Sequence, residues 1–116
     1  MPTPRPGRRV RGSRSGRPIM ALLDLIGRRW SLRVLWELRD ASLTFRELQS
    51  RCDGMSPSVL NDRLAELREA GIVEAVEEGY RLTREGLKLL RDLAPLHDWA
   101  ERWAKRTSRD IIERDR

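Results

Sequence analysis

The 116-residue sequence contains only one cysteine and one histidine, and it has no long apolar run. A single cysteine, Cys52, excludes an intramolecular disulfide, which fits a reducing cytoplasm. With only His97 beside it, a conventional metal site is not expected, and no set of catalytic side chains is evident. No apolar run approaches the ~20 residues of a membrane span, and the residues before Pro18 lack a signal-peptide core. We therefore expect a cytoplasmic protein that is not an enzyme and needs no cofactor, metal or membrane.

The positive charge is concentrated at the N-terminus. Residues 1–17 contain six arginines and no acidic residue, so they account for the whole net charge of +6, and the rest of the chain is neutral. Their Pro, Gly, Ser and Arg composition predicts a disordered tail. The tail could be a basic arm that follows phosphates or enters a minor groove, or it could be a solubilising leader or a misassigned start.

Helical periodicity begins at Pro18. Apolar residues at 19, 22, 23 and 26 predict an amphipathic helix that ends at Gly27. Ser31 is expected to cap a second helix, apolar over a broad arc, which would be the central helix of the core. Trp30 and Trp36 are expected to pack in that core.

A helix-turn-helix follows from local signals. Residues 44–47, Thr-Phe-Arg-Glu, form a capping box for a short helix, and residues 52–55 form a turn in which Gly54 can adopt positive φ. Ser56 and Pro57 are an N-cap and a first-turn proline. The helix that they start is expected to run to about Ala70, with apolar residues 60, 64 and 67 facing inward.

The period changes after Gly71. Residues 72–76 and 80–82 favour two strands joined by Glu77-Glu78-Gly79, a bulged hairpin. Thr83 is expected to cap a further helix, with Leu87, Leu90 and Leu93 on one face. Pro95 should break or kink it before a last helix that carries Leu96, Trp99 and Trp103.

These elements predict a mainly α fold with a small β-hairpin: a winged helix-turn-helix domain with a C-terminal dimerisation helix. The domain should span residues 18–106, between the tail 1–17 and a charged, fraying C-terminal tail 107–116. The helix after Ser56 has a suitable width for the DNA major groove, and its positive dipole end favours a phosphate.

The sequence resembles the HxlR-type bacterial transcription regulators over roughly residues 18–104. The resemblance lies in D-L-I-G-x-x-W at residues 24–30, in F-x-E-L at 45–48 and in G-x-S-P-x-x-L-x-x-R-L at 54–64. It implies a cytoplasmic homodimer whose terminal helices form the dimer and which represses or activates promoters. Family members often carry a redox-sensing cysteine before the first helix, where this chain has Arg17. The wing is also shorter than usual, and its tip, Glu77-Glu78, should repel phosphate.

The candidate DNA contacts lie mainly on the second helix of the motif. They are Ser56, Ser58, Val59, Asn61, Asp62 and Arg63, with Arg29, Thr44, Arg46 and Arg81 elsewhere. Asp62 could accept from cytosine N4 but would weaken binding near phosphates. The alternative is a solvated helix face on which Arg63 is tied to Glu66, and the capping role of Ser56 alone explains that residue.

The candidate dimer interface consists of apolar residues in the two terminal helices. They are Ile19, Leu22, Leu96, Trp99 and Trp103. The two tryptophans could instead pack against the first helix of the same chain or line an effector pocket between subunits. Cys52 could be a thiol switch, but an inert small residue is favoured because no basic cluster beyond Arg51 lowers its pKa.

Three hypotheses remain at this stage. The first is a sequence-specific regulator that binds double-stranded DNA as a homodimer on an inverted repeat, with an effector that the sequence does not identify. The second is a protein–protein interaction module on the same scaffold, favoured by the neutral folded part and the acidic wing tip. The third is nonspecific nucleoid binding through the arginine tail.

Overall fold

The computed structural model describes the backbone of residues 2–114 and the side chains of residues 2–109. Five helices and one hairpin follow in the order α1 to α4, β1, β2 and α5, so the predicted mainly α fold with a small β-hairpin is confirmed. The elements are α1 Pro18–Ile26, α2 Ser31–Glu37, α3 Phe45–Arg51, α4 Pro57–Glu69, β1 Val73–Val76, β2 Gly79–Leu82 and α5 Arg84–Arg114.

The core lies between α1, α2, α3, α4 and the hairpin. Its fully buried large side chains include Leu35 of α2, Leu48 of α3 and three leucines of α4 at positions 60, 64 and 67. Because 60, 64 and 67 recur with helical period, α4 buries one stripe and leaves its other faces exposed. From α5, the residues that pack against this core are Leu89, Leu90 and Leu93, whereas Leu87, predicted to share their face, is exposed.

The hairpin is anchored to the loop before α3. Its strands are antiparallel with Val76 opposite Gly79, so Gly79 begins β2 and does not end the loop as predicted. Leu43 and Tyr80 exchange two backbone hydrogen bonds of 3.0 and 2.8 Å. Gly79 has φ 128°, and a Cβ there would lie 2.2 Å from the Leu43 carbonyl oxygen. Glycine is therefore required where the hairpin crosses the chain.

The N-terminal segment differs from the predicted disordered tail. Residues 2–17 form turns, with a bridge between Val10 and Ser13, and pack against the domain. The Arg5 guanidinium pairs with Glu69, and the Arg28 guanidinium donates to the carbonyl oxygen of Pro2. Composition predicts disorder because the segment has few apolar side chains to bury. In the structure the segment is held by the ion pair of Arg5 with Glu69 and by hydrogen bonds of its backbone with the side chains of Asp24 and Arg28.

Two expectations for α2 are wrong. Trp30, in the left-handed conformation with φ 76°, is the N-cap residue, and Ser31 is already helical and buried. Trp36 lies outside the core: it is 40% exposed, stacks on His97 at 5.5 Å and lies under the Arg39 guanidinium. Trp30 packs partly against the core, as predicted.

The C-terminal helix is longer than predicted. A single helix, α5, runs from Arg84 through Pro95 to Arg114, where a break or kink at Pro95 and fraying beyond Arg106 were expected. Proline removes one N–H donor, but this part of α5 is exposed, so water can satisfy the carbonyl of residue 91. Thr83 caps the helix as predicted, since its hydroxyl accepts from the Gly86 N–H at 3.0 Å. Residues 115 and 116 of the predicted tail lie outside the described residues.

Within residues 2–114, none of the helices combines the length and the apolar character needed to cross a membrane.

Gly79→Ala is expected to lower the free energy of unfolding by about 2–4 kcal/mol, because the added Cβ collides with backbone atoms of Leu43 and Thr44. Gly71→Ala is the matched control: Gly71 also has positive φ, 78°, but no atom lies within 4 Å of its Cβ position. It should cost only about 1–2 kcal/mol. Urea denaturation measures both, and equal losses would contradict the close approach at Gly79.

Candidate nucleic-acid interface

The helix-turn-helix begins at a complete capping box. The Glu47 N–H donates to the Thr44 hydroxyl at 3.1 Å, and the Thr44 N–H donates to the Glu47 carboxylate at 3.0 Å. The hydrogen bond from the Thr44 backbone holds the pKa of Glu47 below its usual value. This box, predicted from the sequence, fixes where α3 starts.

The turn between α3 and α4 is held by hydrogen bonds and by burial. The Gly54 N–H donates to the Gln49 carbonyl at 2.9 Å, and the Gln49 side-chain amide donates to the Met55 carbonyl at 3.0 Å. Cys52 and Met55 are buried beneath the turn, and burial raises the pKa of the Cys52 thiol. A buried thiol with a raised pKa is poorly reactive, which supports the inert interpretation of Cys52.

Arg33 of α2 fastens this turn to the core, a role that the sequence analysis missed. Its guanidinium donates to the Arg51 carbonyl at 2.7 Å, pairs with Asp53 at 3.3 Å and bonds Glu37 at 2.9 Å. The hydrogen bond with Glu37 raises the pKa of Arg33. Only Glu37 lies at a helical i,i+4 spacing from Arg33. Arg51 and Asp53 are distant in sequence, so no sequence pattern indicates their contacts with Arg33.

The outward face of α4 is polar and accessible. Ser56 caps the helix, since its hydroxyl accepts from the Val59 N–H at 3.4 Å, and Pro57 is the first helical residue. Ser58, Asn61 and Asp62 are exposed, whereas Val59 is half-buried against the core. The fold thus brings the predicted set to one helix and leaves three of its polar side chains accessible to a partner.

Arg63 is engaged within the protein. Glu66 pairs with Arg63 at 3.1 Å and with Arg28, from the loop after α1, so one carboxylate holds two guanidiniums. All three side chains are largely buried, at 18%, 13% and 11% exposure for Arg63, Arg28 and Glu66. The pair of Arg63 with Glu66 is the one that the i,i+3 spacing predicted as the alternative to DNA contact by Arg63. The pairing with Arg28 is long-range and was missed.

The other predicted DNA contacts lie around this helix. Arg29 is exposed and lines one concavity of about 510 Å³ with Asp62 and Arg63. Thr44 and Arg46 are exposed at the start of α3. Arg81 on β2 pairs with Glu74 across the hairpin at 2.7 Å, and the wing tip at 77 and 78 is exposed and acidic.

The predicted dimer residues are exposed, with one exception. Ile19 and Leu96 are exposed, and Trp99 and Trp103 are 50% and 52% exposed and stack at 5.9 Å. The exception, Leu22, packs against the core of its own chain. Separately, the described side chains include no group of three or more His, Cys, Asp or Glu that could hold a metal ion.

Comparison with known proteins agrees with this geometry. The HxlR-like helix-turn-helix family matches residues 25–108. The chain belongs to this family. It is 30% identical over 88 residues to YvaP of Bacillus subtilis (strain 168), an uncharacterized HTH-type transcriptional regulator, covering 70% of this chain and 82% of YvaP.

Solved structures give the same result. The quinone-bound YodB of B. subtilis superposes with a TM-score of 0.69 at 28% identity, covering 73% of this chain and 97% of YodB. A MarR family transcriptional regulator from Enterococcus faecalis V583 gives a TM-score of 0.69 at 33% identity, covering 79% and 90% of the two chains. The HxlR-like protein described here is therefore a transcriptional regulator of the HxlR/MarR-like winged-helix class, and its relatives are regulators, not enzymes.

Glu66→Ala is expected to destabilise the protein by about 3–5 kcal/mol, because it leaves two largely buried guanidiniums without their carboxylate. Glu74→Ala is the control, since its pair with Arg81 is exposed and should be worth less than about 1 kcal/mol. Thermal and urea unfolding compare the two. A destabilisation by Glu66→Ala as small as that of the control would contradict a stabilising role for the buried pairs of Glu66 with Arg28 and Arg63.

Proposed function

We propose that this HxlR-like protein binds an inverted-repeat operator in double-stranded DNA as a homodimer and regulates transcription by occupying it. The observation that carries the proposal is the orientation of α4, which buries its leucine stripe and leaves Ser58, Asn61 and Asp62 exposed beside a capped N-terminus. Such a helix fits the major groove with its N-terminal residues toward the base edges.

Each side chain of the proposed interface has a role that its position allows. Ser58 and Asn61 donate to and accept from base edges, and Asp62 accepts from cytosine N4. The first N–H groups of α4 face a phosphate, as the helix dipole favours. The exposed residues Arg29, Thr44 and Arg46 bind backbone phosphates, which sets the position of the domain without reading sequence.

The roles of Arg63, Ser56, Val59 and Arg81 in DNA binding are smaller in this proposal. Arg63 and Arg81 are paired with acidic residues of the same chain, so binding a phosphate or a guanine would require breaking those pairs. Ser56 already caps α4, and Val59 presents only part of its side chain, suited to a thymine methyl group.

Dimerisation is supported by the apolar surface of α5. Leu96, Trp99 and Trp103 recur at helical spacing and are at least half exposed, although large aromatic side chains are more often buried. Ile19 of α1 is exposed as well. To read an inverted repeat, the proposed two-fold dimer must hold its two copies of α4 about one DNA turn apart, ~34 Å.

A protein–protein interaction module is the second candidate. Asp62 and the wing-tip residues Glu77 and Glu78 are exposed acids on the surface expected to meet DNA. Salt separates the two functions, because the logarithm of a DNA-binding constant falls linearly and steeply with the logarithm of the salt concentration, in proportion to the phosphates neutralised.

Ser58→Ala/Asn61→Ala is expected to abolish sequence preference in a selection of genomic fragments by the purified protein near physiological salt. Each polar base contact is worth about 1–3 kcal/mol of discrimination. The wild type should enrich one inverted repeat. The control, Ser108→Ala, changes an exposed hydroxyl residue near the end of α5, away from the face of Leu96, Trp99 and Trp103, and should enrich the same repeat. If the wild type enriches nothing, or the α4 variant enriches the same repeat, the proposed readout is wrong.

Trp99→Ala/Trp103→Ala is expected to convert the homodimer to monomer and to weaken operator binding, because buried interface tryptophans typically contribute about 2 kcal/mol or more. Leu87→Ala is the matched control, since Leu87 is also exposed on α5 but lies on the opposite side of the helix. Sedimentation equilibrium gives the mass of each. A wild-type monomer, or a dimer that survives the double substitution, would exclude this interface.

A further inference from the structure

The N-terminal segment forms a compact, closed loop. The Gly7 N–H donates to the Gly16 carbonyl at 2.9 Å, and within that closure Val10 and Ser13 exchange two backbone hydrogen bonds of 3.0 Å. Gly16 has φ 70°, and a Cβ there would meet the backbone of Arg8 at 2.1 Å. We name residues 7–17 the arginine loop.

The arginine loop is docked on α1, and the residues just before it are docked on α4. The Arg11 N–H donates to the Asp24 carboxylate at 3.2 Å, which ties the loop to α1. Just before the loop, Arg5 pairs with Glu69 near the end of α4. The polar side chains of Thr3, first, and Arg5 hold the pKa of Glu69 below its usual value.

The docking leaves a group of positive side chains uncompensated. Five arginines of the loop are exposed, and among the described residues none of them forms an ion pair: Arg8, Arg9, Arg11, Arg14 and Arg17. The loop contains no acidic residue. The structure shows no stabilising interaction of these five guanidinium groups with acidic side chains of the described residues. Their charge is therefore available to an anionic partner.

The surface beside the arginine loop is continuous with the surface beside α4. One concavity of about 520 Å³ is lined by Arg8, Arg9 and Arg11, and it includes Thr3 and Arg28. Thr3 and Arg28 also line the 510 Å³ concavity that reaches Asp62 and Arg29. The two concavities therefore meet, and one continuous surface runs from α4 to the arginine loop.

We infer that the arginine loop binds phosphates of the DNA backbone that flank the site read by α4. The charge distribution favours this partner: outside residues 1–17 the chain is neutral, so the loop supplies the positive field that attracts DNA. Because phosphates are the same in every sequence, the loop adds affinity and a longer footprint but no base preference. This inference rests on the proposed function of α4.

The test is Arg8→Gln/Arg9→Gln/Arg11→Gln, which removes three exposed charges while keeping Arg5, Glu69 and the backbone N–H of residue 11. The control, Arg91→Gln/Arg102→Gln/Lys105→Gln, removes three exposed charges from α5 outside its stripe of exposed tryptophans. Fluorescence anisotropy over a salt series uses three probes. These are a duplex of about 20 base pairs ending at the enriched repeat, one of about 40 with flanks, and a scrambled duplex of the longer length.

The loop variant should bind the flanked duplex about tenfold more weakly at moderate salt, and its log–log salt slope should fall by about 1 for each phosphate that the variant no longer neutralises. It should still prefer the repeat over the scrambled duplex, and it should match the wild type more closely on the short duplex. The control should bind like the wild type. Unchanged affinity and slope on the flanked duplex would overturn the inference and leave the proposed function standing.

If the wild type prefers no repeat, it is the proposed function that fails. If, in that case, the loop variant alone no longer binds the scrambled duplex, the loop binds nucleic acid nonspecifically. That result would contradict the inference that it binds phosphates flanking a specific site. No binding to any probe would overturn both and favour a protein partner. Thermal unfolding of each variant shows that the fold is intact, since every substituted side chain is exposed.

Discussion

The orientation of α4 about its own axis is the constraint on which the rest of the structure depends. Burial of leucines 60, 64 and 67 fixes that orientation, because rotating the helix by one position would expose apolar side chains at a cost of about 1.5–3 kcal/mol each. The capped end and the turn below it, held by Arg33 and Gln49, fix the axial position. Packing on the core side therefore determines which polar side chains face outward.

The charged side chains near α4 fall into two groups: those paired with each other within the protein and those left unpaired for a partner. Within α4, Glu66 and Glu69 lie on the side occupied by Arg28, Arg63 and Arg5, so their carboxylates are paired inside the protein. A recognition helix that carried these acids unpaired would repel phosphate. Neutralising them uses the charge of these three arginines, which lie on or beside α4. The arginine loop, which has no acids of its own, restores positive charge at the edge of the same surface.

Local signals predict local structure well in this chain. The box of Thr44 and Glu47, the Ser56 cap and the hairpin after Gly71 each depend on residues within about four positions, and the structure contains all of them.

Contacts between distant positions could not be predicted in this way. Examples are Arg5 with Glu69, Arg28 with Glu66 and Arg33 with Asp53. The ordered N-terminus was missed for the same reason, since composition carries no information about a docking partner. The candidate site was predicted mainly as residues of the helix that begins after Ser56, with the pair of Arg63 and Glu66 as the alternative for that face. The second ion pair of Glu66, with Arg28, is visible only in three dimensions.

The length of α5 bears on the proposed dimer. A helix of 31 residues is about 46 Å long, and only its first part, through Leu93, packs on the core of the chain. Beyond Pro95 the side chains through residue 109 are exposed, including Leu96, Trp99 and Trp103. Helix propensity alone stabilises so long an extension weakly, because most helical stability in proteins comes from packing an amphipathic face. The second half of α5 therefore needs a surface to cover its apolar stripe. In the proposed homodimer a second copy of the same helix would cover this stripe about a two-fold axis. The proposed reading of an inverted repeat by two copies of α4 requires that same symmetry.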